Sequence, residues 1–315
     1  ERRYMEAHAL NRAQKRAESL EAFRKLAADY PGDRMVQMLI GQLATAEGRF
    51  DEARAALEKA LAIDAATPRV HALLGNVATL QDDSARARPP YQHALERQPP
   101  GTASAQAQTN LAFAYVYEGQ PHQAPSPLRS YLEAFRKTGG LPGLPEVFIW
   151  NAMGRIELQN GRLPQAMTDY EKGFESVPAS DASERDKKLW LGRLHHGRGR
   201  TLARMGKYDE AWKEAELLRK LIEENGEEGK EFLPAYHYLA GYIKMEAGDD
   251  AAALEHLKQS DPTDPFNLML LGRAYEKAGD KEGARKAYQA AMAIRQLNLD
   301  RALAYPIAKK RLAAL

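Results

Sequence analysis

The chain has 315 residues, 45 basic and 43 acidic, and its net charge of +2 is too small to favour nucleic acid or a membrane surface as its partner. It contains no cysteine, which excludes disulfides, thiol catalysis and cysteine metal sites, while 44% hydrophobic residues suffice for a packed core. No apolar run reaches the ~18 residues that cross a bilayer. We therefore expect a soluble chain without membrane insertion, either cytoplasmic or exported after removal of a leader.

A repeating pattern of small residues runs along the chain. Seven anchor positions lie in the middle of predicted helices, at Gly41, Gly75, Ala112, Gly154, Gly199, Gly241 and Gly272. Twelve residues after each anchor stands an alanine, at Ala53, Ala87, Ala124, Ala166, Ala211, Ala253 and Ala284. Seven residues after six of the anchors stands a glycine, at Gly48, Gly119, Gly161, Gly206, Gly248 and Gly279. This spacing predicts a helix, a turn that ends in glycine and a second helix in each unit.

Larger residues recur in the same register. The sixteenth residue after the anchor is large in six units, at Leu57, Tyr91, Leu128, Tyr170, Leu257 and Tyr288. Prolines follow at the twenty-fourth position in three units, at Pro99, Pro178 and Pro265. A glycine inside a helix costs about 1 kcal/mol, so its recurrence predicts a neighbouring helix that passes too close for a Cβ. One helix pair cannot bury its own apolar face, and the pairs are therefore expected to stack.

Three units depart from the pattern, and we predict local irregularity in them. Asp82 replaces the turn glycine of the second unit, and Ala215 replaces the large residue of the fifth. The second helix of the third unit is crowded by Pro121, Pro125 and Pro127. Between the third and fourth units, Thr138–Pro145 is predicted to be a turn-rich loop, but not a domain boundary, because the repeat resumes directly after it.

These motifs resemble the tetratricopeptide-repeat family over essentially the whole chain. The clearest units are Met35–Asp64, Trp150–Pro178 and Phe266–Ile294. The resemblance implies an all-α, right-handed solenoid of about seven to eight antiparallel helix pairs, with a concave groove lined by the first helix of each pair. We expect residues 1–298 to form this solenoid and residues 299–315 to form a C-terminal capping helix of the same domain.

The sequence after the last repeat predicts the capping helix. Its apolar residues Leu299, Leu303 and Ile307 fall at helical spacing, whereas Pro306 should kink the helix or mark its first turn. The basic residues expected on its solvent side are Lys309, Lys310 and Arg311.

The residues three before, one after and five after each anchor form one stripe on the first helix, and the resemblance places this stripe in the groove. It is neutral in the early units and becomes cationic and aromatic later. The candidate partner-binding residues are Phe113, Tyr117, Asn151, Arg155, His196, Arg200, Arg204, Tyr238, Tyr242, Arg273 and Lys277. We expect these positions to lie off the packing face. Arginine and tyrosine are enriched at contact hot spots, and the alternative interpretation is a merely solvated face.

No set of residues indicates catalysis, a metal or a cofactor. His195 and His196 point about 100° apart on a helix and cannot share an ion without further ligands. His71, His195 and His237 each stand four residues before an anchor and are interpreted as packing residues. The glycines and arginines that follow His196 imitate a phosphate loop, but they lie inside a predicted helix. We therefore expect no enzyme activity, no catalytic residue, no metal and no cofactor.

The sequence predicts a non-catalytic scaffold that binds another protein or peptide. An acidic or carboxylate-bearing segment is favoured in the groove, because arginine forks match carboxylates. The co-chaperone branch of the family grips a terminal carboxylate with lysines and asparagines; Asn76 and Asn110 fit that set, but the lysines are missing. Two alternatives stay open: the scaffold portion of a larger enzyme or of a secretion or assembly component, and a binder of an anionic polymer such as nucleic acid or glycan. The low net charge argues against nucleic acid.

Overall fold

The structure is a computed structural model that describes residues 1–96, 102–137, 144–178 and 180–315. The described residues form helices joined by turns, without strands, which confirms the all-α class. Pro99 and residues 138–143 of the expected loop lie outside the described residues. The helices are α1 Arg2–Arg12, α2 Arg16–Asp29, α3 Arg34–Ala46, α4 Phe50–Ile63, α5 Pro68–Leu80, α6 Ser84–Glu96, α7 Thr102–Tyr117, α8 Pro125–Lys137, α9 Leu144–Gln159, α10 Leu163–Glu175, α11 Glu184–Arg204, α12 Tyr208–Glu223, α13 Gly226–Gly229, α14 Leu233–Glu246, α15 Asp250–Leu257, α16 Pro265–Lys277, α17 Lys281–Ala293 and α18 Leu299–Leu312.

The chain divides into two compact units. Unit 1 comprises Glu1–Ala114 and Arg295–Leu297, and unit 2 comprises Tyr115–Ile294 and Asn298–Leu315. In unit 1 the helices pair as α1 with α2, α3 with α4 and α5 with α6. In unit 2 the pairs are α9 with α10, α11 with α12, α14 with α15 and α16 with α17. Each unit is thus built from stacked helix pairs, as the repeat spacing predicted.

The anchor glycines are points of close packing. A methyl group at Gly41 would lie 2.5 Å from Cγ of Leu57, and one at Gly241 would lie 2.7 Å from Cγ of Leu257. Carbon atoms pack at roughly 3.5–4.0 Å, so neither site has room for a side chain. The first helix of a unit therefore accommodates the large residue of its own second helix, which confirms the predicted close approach.

Two of the irregular units keep a regular backbone. The six turn glycines adopt left-handed φ values between 73° and 82°, and Asp82 adopts φ 61° at the equivalent position. Aspartate is among the few other residues that tolerate this conformation, so the predicted irregularity is absent at this turn. In the fifth unit, where Ala215 is small, Leu239 of the next first helix fills the space over Gly199. A methyl group on that glycine would lie 3.0 Å from Cδ1 of Leu239.

The third unit is irregular for the predicted reason. Its second helix, α8, begins at Pro125, thirteen residues after the anchor Ala112, whereas α4 begins at Phe50, nine residues after Gly41. Proline lacks an amide hydrogen and is tolerated in the first turn of a helix but not further inside. The prolines therefore delay the start of this helix relative to the anchor.

The last helix, α18, packs against α16 and α17 and also contacts α9. Its buried residues are Leu299, Arg301, Ala302, Leu303, Ala304 and Ala308. Pro306 lies inside the helix, and Ile307 is half-buried. Arg311 departs from the expected solvent side, because it is half-buried and pairs with Glu276 of α16 at 2.5 Å. That residues 299–315 cap the same domain as residues 1–298 stays a prediction.

None of the helices in the described ranges combines the length and the apolar character needed to cross a bilayer.

Candidate functional site

The cationic stripe of unit 2 falls into two parts. We call the first part the inner cluster; it is formed by Arg155, Tyr170, His196, Arg200, Tyr238, Tyr242, Phe266 and Asp300. The ring of Tyr242 lies 6.5 Å from the ring of Tyr238, and the other contacts are given below. We call the second part the edge cleft; it is lined by Met245, Glu246, Arg273, Lys277 and Arg311. The two parts contain similar residue types, but their cations have different partners.

Arg200 is enclosed by tyrosines in the inner cluster. Its Nη1 donates to the Tyr238 hydroxyl at 2.9 Å, its Nη2 donates to the Tyr170 hydroxyl at 3.2 Å, and only 4% of the residue is exposed. Burial acts to lower the pKa of Arg200, but the oxygens of Tyr170 and Tyr238 outweigh it, so that the pKa is raised. The guanidinium therefore stays charged although no carboxylate hydrogen-bonds to it among the described residues.

The expectation that the stripe lies off the packing face is wrong for several of its members. Arg200, Tyr238 and Tyr242 are 4%, 8% and 2% exposed, and Phe113 in unit 1 is 7% exposed. The physical reason in unit 2 is that a planar guanidinium can be buried when its donors are satisfied, here by hydroxyl groups. These residues hold the helices of the unit together.

Arg155 pairs with a carboxylate from the last helix. Its Nη2 contacts Oδ1 of Asp300, in the first turn of α18, and the two side chains are 14% and 23% exposed. The guanidinium also lies 5.5 Å from the centre of the Phe266 ring. Burial acts to lower the pKa of Arg155, but the charge of Asp300 outweighs it, and the pKa is raised. A residue expected to bind a partner is thus occupied by α18 of the same unit.

A second carboxylate faces Arg155. Asp264 is the N-cap of α16 and accepts from the backbone amides of Phe266 and Asn267 at 2.7 and 3.0 Å. Burial and the nearby charge of Asp300 raise the pKa of Asp264 to about 6, although Arg155 acts in the opposite direction. Two acidic groups therefore share the field of one arginine.

His196, expected among the partner-binding residues, packs inside the inner cluster. The ring of His196 lies 4.4 Å from the ring of Tyr238. Burial, followed by the charges of Arg200 and Arg155, lowers the pKa of His196 well below its ordinary value, so the imidazole is neutral at neutral pH. His195 Nδ1 lies 2.7 Å from a Glu214 oxygen in a separate polar contact. Within the ranges that the structure describes, no three metal-ligating side chains come together.

The edge cleft encloses about 160 Å³ between the C-terminal ends of α14, α16 and α18. Arg311 is held by Glu276 at 2.5 Å, and Glu246 lies 3.9 Å from Arg204. Arg273 is half-buried and Lys277 is exposed, and neither forms an ion pair with any described residue. The edge cleft thus contains two cations without a carboxylate partner.

Several other residues singled out in the sequence lie outside the inner cluster and the edge cleft. Tyr117, at the end of α7, accepts a hydrogen bond from Arg301 Nη1, and its ring lies 5.9 Å from the ring of Tyr305. Asn151 is half-buried. In unit 1, Asn110 Nδ2 donates to Oδ1 of Asn76 at 3.0 Å, so these two asparagines bond to each other.

Sequence reasoning missed the contribution of α18 to this face. Ala304 stands 32 residues after the anchor Gly272 and is fully buried, as an anchor would be. Counting the stripe onward from Ala304 would have included Arg301 and Tyr305, both of which contact Tyr117. No comparable signal marks Asp300, because it lies off that stripe.

Comparison with known proteins agrees with this architecture. A sequence model of the tetratricopeptide repeat matches residues 4–69 and 48–103, and a second model of that repeat matches residues 267–304. None of the curated proteins matches the chain.

Solved structures share the fold at low identity. BtubC (BKLC) from P. vanneervenii has a TM-score of 0.55 at 17% identity, over 69% of this chain and 93% of that one. A tetratricopeptide repeat protein from Parabacteroides merdae has a TM-score of 0.52 at 19% identity, over 88% and 98% of the two chains. PilW, a type IV pilus biogenesis factor, has a TM-score of 0.51 at 15% identity, over 69% and 91%. The family models thus identify tetratricopeptide repeats in residues 4–103 and 267–304, and the stacked helix pairs share the fold of these solved structures.

Proposed function

We propose that this chain is a non-catalytic protein-interaction scaffold, and that unit 2 binds an acidic or carboxylate-bearing segment of another protein. The observation that supports this function is the edge cleft, where Arg273 and Lys277 lie next to one another without an internal carboxylate partner among the described residues. A cleft lined by one sign of charge concentrates ions and ligands of the opposite sign.

The chemistry of the edge cleft favours a single carboxylate. A guanidinium and an ammonium four residues apart on α16 lie on the same face of the helix. Glu246 forms part of the lining and repels a second negative group. Met245 supplies an apolar wall for the stem of the partner's side chain. A glutamate, an aspartate or a chain-terminal carboxylate within an otherwise mixed segment would fit these groups.

An anionic polymer fits unit 2 less well. A polymer backbone needs a row of available cations, because each neutralised phosphate releases counterions and contributes separately to affinity. In unit 2 the row is interrupted, since Arg155 pairs with Asp300 and Arg200 is enclosed by tyrosines. Arg273 and Lys277 alone would give only a shallow dependence of binding on salt.

Affinity capture of partner proteins from the native source tests the proposal. It compares a variant with reversed charges in the edge cleft and a variant with reversed charges on an outer helix. The groove variant is Arg273→Glu with Lys277→Glu. The matched control reverses two exposed lysines of the second helix α12, Lys213→Glu with Lys220→Glu. We expect the groove variant to lose at least about tenfold in affinity for the captured partner, because two attractive charges become repulsive, while the control keeps it. Equal capture by both variants would reject the edge cleft as the binding site.

A further inference from the structure

The surface that α18 occupies has the features of a binding site for a helix with a carboxylate in its first turn. Asp300 reaches Arg155 from the first turn of α18. Asn298 caps the helix by accepting from the amide of Arg301 at 2.8 Å, and the Arg301 side chain bonds the Tyr117 hydroxyl. Besides its packing on α16 and α17 and the ion pair of Arg311 with Glu276, α18 is thus held by one ion pair to α9 and one hydrogen bond to a tyrosine of α7, two helices that are distant in the sequence.

The ion pair that holds α18 is incompletely formed. Arg155 Nε is buried and has no hydrogen-bond partner in the described part of the chain. An arginine binds a carboxylate most strongly when two parallel N–H groups meet both oxygens. Asp300 uses one oxygen in its contact with Arg155 Nη2. A carboxylate on a longer or differently placed side chain, able to reach Nε as well, would bind Arg155 better than Asp300 does.

Seating α18 also brings like charges together. Asp264 faces both Arg155 and Asp300, and the nearness of Asp300 is one of the two causes that raise its pKa. Arg155 is the cation that the two carboxylates share. Removal of α18 would relieve this repulsion, which opposes the apolar contacts that keep the helix in place.

The apolar contacts of α18 are small. Three of its five buried apolar residues are the alanines Ala302, Ala304 and Ala308, and each buries little area. Residues 294–298, which connect α17 to α18, are not helical. Five residues span about 17 Å when fully extended. A helix attached in this way stays close to its binding position after its contacts break.

We infer that α18 is a displaceable occupant of the inner cluster, and that a partner's amphipathic helix, with a carboxylate in its first turn, competes with α18 for Arg155. This inference rests on the proposed function, since it assumes that unit 2 takes acidic segments. It adds that the inner cluster is a second, internally covered part of the same binding surface, which becomes accessible when α18 leaves.

A peptide of residues 298–315 provides a defined probe, because it contains α18 and its own Asp300. In the full chain, Asp300→Asn weakens the hold of the attached α18. We expect this variant to bind the wild-type peptide at least about tenfold more tightly than the wild-type chain does. A peptide with Asp300→Asn should bind the same variant at least about tenfold more weakly. Adding Arg155→Met to the variant chain should abolish the preference for the wild-type peptide, because both peptides then meet no cation.

Amide hydrogen exchange of residues 299–312 shows whether α18 has left its seat. In the Asp300→Asn chain this exchange should rise about tenfold while exchange in α16 and α17 stays unchanged. If the variant does not fold, amide exchange is measured on the wild-type chain instead. Wild-type peptide is then added at millimolar concentration, which matches the effective concentration of the attached helix. We expect the added peptide to raise amide exchange in α18. Unchanged exchange in α18, or equal binding of the two peptides, would overturn the inference. If that result is found while the groove variant still loses its partner in affinity capture, the inference about α18 is rejected and the proposed function is retained.

Discussion

The inner cluster and the edge cleft lie on the same helical stripe but use their cations differently. In the inner cluster, Arg200 bonds two tyrosine hydroxyls and Arg155 pairs with Asp300. In the edge cleft, Arg273 and Lys277 have no carboxylate partner among the described residues. A position on the stripe therefore does not decide whether a residue binds a partner. The two parts differ in whether other helices occupy the cation, as Tyr170 and Tyr238 do at Arg200 and Asp300 does at Arg155.

The largest effect is expected from Arg200→Glu. The substitution removes the two hydrogen bonds that Arg200 donates to tyrosine hydroxyls and buries a carboxylate in place of the cation. We therefore expect the free energy of unfolding to fall by about 3–5 kcal/mol. Denaturant unfolding measures the change. The exposed Lys213→Glu should stay within about 0.5 kcal/mol of the wild type. A loss for Arg200→Glu as small as that of the control would show that the inner cluster does not support the fold.

A smaller effect is expected from Asp264→Asn, and it should depend on pH. Asparagine caps a helix as well as aspartate does, so the substitution keeps the cap and removes the charge that opposes Asp300. We expect the variant to be more stable than the wild type at neutral pH, by on the order of 1–3 kcal/mol. Thermal or denaturant unfolding at several pH values measures the difference.

The direction of the pH dependence follows from the raised pKa of Asp264. The folded pKa of about 6 lies above the ordinary value of 3.8, so the folded state binds this proton more tightly than the unfolded state. The contribution of Asp264 to stability is therefore fully present below about pH 4 and is lost as the pH rises through about 6. The stability difference between wild type and Asp264→Asn should grow over this range. A difference that is constant with pH would contradict the electrostatic description of the inner cluster.

The smallest effect on stability is expected at the edge cleft. Arg273→Glu with Lys277→Glu removes no ion pair within the described residues, so the free energy of unfolding should change by less than about 1 kcal/mol. Circular dichroism during thermal unfolding measures it. If this variant were destabilised as strongly as Arg200→Glu, the two parts of the stripe would not differ in the way proposed.

Much of the fold could be predicted from the sequence because the repeat determines local packing. The distance of sixteen residues from Gly41 to Leu57 brings a glycine and a large side chain into direct contact, and the pattern recurs along the chain. Asp82 kept the left-handed turn despite the missing glycine, since its side chain tolerates that backbone conformation. Local rules of this kind require no knowledge of distant elements.

The candidate site could be predicted only in part, because its contacts join distant segments. Tyr170 and Tyr238, which enclose Arg200, belong to the repeats before and after it. Asp300 follows the last recognised repeat and contacts a residue 145 positions earlier, Arg155. The stripe rule found the cations, but it contained no information about which hydroxyl or carboxylate would face each of them.

A double-mutant cycle decides whether the cations of the edge cleft meet a carboxylate of a partner. The cycle combines Arg273→Ala with replacement of the partner segment's acidic residue by its amide, and calorimetry measures the four affinities. We expect a coupling energy above about 1 kcal/mol, because the two groups are a close charge pair. A coupling energy near zero, with both single changes binding normally, would contradict the proposed role of these cations.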